Sequence, residues 1–60
     1  MIGQHVRICN LQSMGDLNGK VGAVVGFDAA KSRYRVRIED EDVESGSRVL
    51  AFRVGNLEVV

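Results

Sequence analysis

The 60-residue chain has no proline and no tryptophan, one cysteine, and three aromatic residues in all, Phe27, Tyr34 and Phe52. With Cys9 alone no intrachain disulfide can form, and a small domain that dispenses with such staples suits a reducing setting, cytoplasmic or nuclear. An aromatic-lined groove for proline-rich peptides, or an aromatic cage for methyl-lysine, needs more rings than a core would leave free here. Neither sign of charge predominates: eight basic and eight acidic residues cancel. That removes the global pull toward nucleic acid or anionic membrane, so any such binding must come from a local patch. Long apolar runs are missing too. Residues 1–10 carry Gln4, His5 and Arg7, so neither a signal peptide nor a membrane span is read there. Catalytic groups are scarce: one His, one Cys and Ser13, Ser32, Ser45 and Ser47, with no nucleophile and base in a recognisable motif. No catalytic residue, metal or cofactor is expected.

What the chain does contain is strand alternation and turn chemistry. Sixty residues form one domain, which buries only about 60% of the surface its unfolded chain exposes. A start this close to the first strand fits a domain cut from a longer chain. Residues 5–10 alternate, with Val6 and Ile8 on one face and His5, Arg7 and Cys9 on the other, as a half-buried strand does. Residues 11–19 form a loop whose Asn18-Gly19 step tolerates positive φ, with Leu11, Met14 and Leu17 tucked onto the body of the domain. Residues 20–28 have apolar side chains at 21, 23, 24, 25 and 27, which no unbroken period of two can bury on one side. A bend or bulge is needed, and Gly22 and Gly26 mark where it falls. Val24 and Phe27 are expected in the core. Asp28 caps a polar turn, and residues 33–38 place Tyr34, Val36 and Ile38 inward and Arg33, Arg35 and Arg37 outward. Residues 39–47 form an acidic hairpin tip turning at Ser45-Gly46. A fourth strand over 48–53, a 3₁₀ turn over 54–57 and a short last strand over 58–60 complete the chain.

Val6-Arg7-Ile8, Leu17-Asn18-Gly19-Lys20-Val21-Gly22-Ala23-Val24, Phe27-Asp28, Arg33-Tyr34-Arg35-Val36 and Asn56-Leu57 resemble the small SH3-like barrels related to KOW-type modules, over nearly the whole chain. The resemblance implies an all-β, five-stranded SH3-like barrel with one short 3₁₀ turn before the last strand, and a binding or scaffolding role. Many relatives of this pattern have Pro-Glu-Asn-Leu where this chain has Val54-Gly55-Asn56-Leu57, which leaves the turn less rigid. Some SH3-like barrels form an enzyme by tetramerising around a pore lined by Val-Gln-Ile-Tyr. The matching Val49-Leu50-Ala51-Phe52 lacks both polar pore groups. The fold hosts many unrelated activities.

The candidate binding surface is Arg33, Arg35 and Arg37, joined by Arg53 and Lys20. Same-face neighbours on a strand stand about 7 Å apart, close to the spacing of phosphates along a nucleic-acid strand. The competing description is an ordinary solvated face whose charge is offset by residues 39–44 folding back over it. That acidic run lacks the Asp-x-Asp-x-Asp-Gly spacing of a calcium loop, and His5 with Cys9 cannot complete a four-coordinate zinc site. The leading expectation is a non-catalytic module that binds a protein partner through edge strands, the 10–19 loop and the arginine face. An RNA- or DNA-binding KOW-like barrel is the alternative, and a weakly self-associating structural module is third. No membrane partner is expected.

Overall fold

The computed structural model describes residues 1–39 and 43–60. It is all-β: five antiparallel strands form one sheet, with two isolated 3₁₀ turns and no α-helix among the described residues. The strands are β1 (His5–Ile8), β2 (Val21–Asp28), β3 (Arg33–Glu39), β4 (Ser47–Phe52) and β5 (Leu57–Val59), in sheet order β4-β3-β2-β1-β5. The 3₁₀ turn at Val54–Asn56 stands where expected, and a second one at Gly15–Leu17 interrupts the first loop. Hydrogen-bonded ladders do not close the sheet, because β4 and β5 are its two edges and share no ladder among the described residues.

Alternation explains most of the packing. Val6 and Ile8 from β1, Val24 from β2, Val36 and Ile38 from β3 and Leu57 from β5 meet in the core with Leu17 and Phe52. The bulge needed in β2 falls at Val25, which has no partner between the pairs Val24↔Val36 and Gly26↔Arg35. That extra residue shifts the alternation by one, so Gly26 lies opposite the outward Arg35 and Phe27 opposite the inward Tyr34.

Three expectations about the core require correction. Phe27 is 42% exposed. Its ring pairs with Tyr34 at a centroid distance of 4.7 Å, but β1 pairs with β2 only over Val21–Ala23, so no neighbouring strand covers Phe27 on that side. Tyr34 is half-buried and packs against the core rather than within it. Met14 is 51% exposed; its backbone is left-handed at φ 59°, immediately ahead of the first 3₁₀ turn, whereas Leu17 is buried in the core and Leu11 packs against it. Phe52 is the ring that the core encloses, at 6% exposure.

The turns follow their chemistry. The Asp28 carboxylate accepts from the backbone N–H of Ala30 at 3.1 Å and of Lys31 at 3.4 Å, an Asx arrangement. In the Asn18-Gly19 step Gly19 takes the positive φ, +89°. Gly46 does so at +77° in the β3–β4 connection, where its N–H donates to the Val43 carbonyl at 2.8 Å. The expected folding back of the acidic run over the arginines falls largely on residues 40–42, outside the described residues.

Candidate functional site

Strand β3 presents Arg35 and Arg37 to solvent, with Arg33 half-buried at its start. Their cross-strand neighbours are small or short. Arg37 lies between Ala23 and Val49, and Arg35 between Gly26 and Ala51. The Arg35 guanidinium lies across Gly26 so closely that a Cβ there would come within 2.5 Å of Nη2. This explains why Gly26 is buried on an outward position: the arginine stem and head cover it. Among the described residues the ion pair is Arg7 Nη1 to Glu58 Oε1 at 3.4 Å. It involves none of Arg33, Arg35, Arg37 or Arg53. The sheet therefore carries a row of guanidinium groups above a shallow floor of small side chains.

The predicted surface divides in space. Lys20 lies beside Ile8, whose N–H donates to its carbonyl at 2.8 Å. That is the opposite end of β2 from Asp28, the partner of Arg33, so Lys20 does not join the arginine row. Arg33 and Arg53 instead converge on a cleft of about 300 Å³, walled also by Leu11, Met14, Phe52 and Asn56.

The loop that forms one wall is held from two sides. Asn18 accepts from the Leu11 N–H through Oδ1 at 2.9 Å and donates to the Leu11 carbonyl through Nδ2 at 3.1 Å. Asn56 donates through Nδ2 to the carbonyls of Cys9 at 3.0 Å and Asn10 at 3.2 Å, while its own carbonyl accepts from the Cys9 N–H at 2.9 Å. Both Nδ2 protons of Asn56 are thus committed to the loop. Asn10 and Met14 each adopt positive φ, 58° and 59°. Such conformations are costly for a residue like methionine and persist only where the surroundings hold them.

Leu11 and Met14 belong to the 10–19 loop expected to take part in binding but were not singled out within it, and Asn56 did not emerge from the sequence as a site residue. Their signal was indirect, resting on the asparagines that tie the loop down and on the step of register that brings Arg53 beside Arg33. Among the described residues no three of His, Cys, Asp and Glu gather into a metal-binding group. Cys9 is half-buried, and its Sγ accepts from Asn10 Nδ2 at 3.6 Å. No described helix is long and apolar enough to cross a membrane. No protein-family model matches the chain, and no curated protein matches it in sequence.

Proposed function

We propose that this chain is a non-catalytic interaction module, an SH3-like barrel related to KOW-type modules, that docks a protein partner through its arginine face, the 10–19 loop and its sheet edges. The observation that carries this reading is the row of outward guanidinium groups on a floor of small side chains, with no carboxylate partner among the described residues. Arginine is suited to such a role because its planar fork meets carboxylates and backbone acceptors in fixed geometry and is weakly hydrated. The edges β4 and β5 add unpaired backbone groups that an extended partner can meet.

Crosslinking capture on the intact protein tests this, run beside an Arg35→Gln/Arg37→Gln variant. Specific partner proteins retained by the wild type and lost from the variant are expected. Equal recovery by both, or none by either, rejects the arginine face as the docking surface.

A nucleic-acid reading gains from one observation: Phe27 is open to solvent, its ring tilted at 54° against that of Tyr34. An exposed ring is a platform on which an unpaired base stacks. Under that reading affinity for a single-stranded oligonucleotide falls steeply as salt rises, with a smaller slope when Arg35 and Arg37 become Gln. Flat salt dependence excludes it.

A further inference from the structure

Arg33 and Arg53 lie one residue beyond Tyr34↔Phe52, the last pair of the β3–β4 ladder. The register therefore sets two like charges side by side on neighbouring strands, an arrangement that costs stability when nothing lies between them. Among the described residues neither arginine has an ion-pair partner. Both line the same cleft, which Leu11, Met14, Ala51 and Phe52 furnish with apolar surface and Ser13 and Asn56 with polar groups.

We infer that this cleft is a binding site for a carboxylate-bearing, apolar-flanked peptide segment of a partner protein. The carboxylate bridges the two guanidinium groups, and the flanking apolar side chain lies against Leu11, Met14 and Phe52. This rests on the protein-docking reading above and narrows it to one place and one ligand chemistry. Two arginines around one carboxylate give short, charge-assisted hydrogen bonds with directional preference. Met14, half-exposed and soft, adapts to the side chain beside it. The asparagine ties at Leu11, Cys9 and Asn10 set the loop wall before any ligand arrives, which reduces the ordering cost of binding. A nucleic-acid phosphate matches the charge but not the apolar wall, and the open ring that would stack a base, Phe27, is not part of the cleft.

The test is a titration of the isotope-labelled, full-length chain followed by amide NMR shifts. The probe is a blocked pentapeptide, Gly-Leu-Asp-Leu-Gly, compared with its Asn counterpart. Shifts centred on Met14, Arg33, Arg53 and Asn56 are expected, with the Asn peptide bound at least tenfold more weakly, and Arg53→Gln weakening the Asp peptide by about tenfold or more. Should Arg53→Gln fail to fold, the Asp and Asn peptides on the wild type decide the matter alone. Four results overturn the inference: no shifts up to millimolar peptide; shifts confined to Arg35, Arg37 and Val49; the same cleft shifts on raising protein concentration without peptide, the mark of a second copy occupying it; or cleft shifts with oligouridylate while the peptide is silent. If partner capture still depends on Arg35 and Arg37, the first two results remove the cleft and leave the docking reading standing. If capture fails as well, both fall.

Discussion

A methyl group added at Gly22 has no room: it would lie 2.5 Å from the Arg37 carbonyl oxygen, fixed by the β2–β3 ladder, and 2.7 Å from Cγ1 of the fully buried Val36. At Gly26 the nearest atoms belong instead to the flexible, solvent-facing head of Arg35. Gly22→Ala should therefore destabilise the domain by about 1–3 kcal/mol, while Gly26→Ala should cost less than about 1 kcal/mol and push Arg35 outward; urea denaturation of the two variants separates them. The two phenylalanines make a similar contrast. A 60-residue domain has roughly 3–9 kcal/mol of stability in all. Removing the enclosed Phe52 ring costs about 3–5 kcal/mol, a third or more of that total, so Phe52→Ala should show a far lower urea midpoint than the wild type by circular dichroism at 25 °C. Phe27→Ala, at an exposed position, should remain folded with a lowered midpoint.

At the scale of elements, the loop ahead of β2 is fixed by side-chain hydrogen bonds more than by burial, with Leu17 its one buried residue. Asn18→Ala removes the acceptor of the Leu11 N–H and the donor to the Leu11 carbonyl. It should cost about 1–2 kcal/mol and speed hydrogen exchange at the Leu11 amide, while the amides of Val24 and Val36 exchange as before. Unchanged Leu11 exchange would show that other contacts hold the cleft wall. The strands were legible because alternation is a direct consequence of the pleat: Val6 and Ile8, then Val36 and Ile38, declare an inward face whatever their neighbours do. The bulge in β2 was legible for the same reason, since residues 21–27 cannot be accommodated without one. Burial at the strand ends was not. Alternation assigns Phe27 to a side of the sheet, but its exposure depends on how far β1 extends beside it, which the residues of β2 do not encode. The cleft was hidden for two further reasons. Its wall depends on left-handed backbone at Asn10 and Met14, with no glycine there to announce it, and its two arginines meet only through the register of β3 on β4.

Across the whole molecule, zero net charge reflects charges of both signs at both ends of β3. Asp28 stands opposite Arg33, and at the far end Arg48, opposite Ile38, adjoins the pair Glu39↔Ser47. Such mixing limits long-range attraction to polyanions in general. The Arg7–Glu58 bridge contributes little to holding the sheet together, because both side chains are about half in water. Glu58→Gln should change stability by less than about 1 kcal/mol at ordinary salt.

The fold is thus held by its apolar interior and its ladders, and the proposed function requires the guanidinium row to be free of any structural duty. Urea denaturation of an Arg33→Gln/Arg35→Gln/Arg37→Gln triple variant asks most directly whether that division is right. Stability within about 1.5 kcal/mol of the wild type is expected, since glutamine keeps part of the Arg35 stem over Gly26 and each surface substitution changes stability by roughly 0.5 kcal/mol or less. A loss greater than about 3 kcal/mol would mean that the three guanidinium groups are structural, and that the face they form is not free to receive a partner.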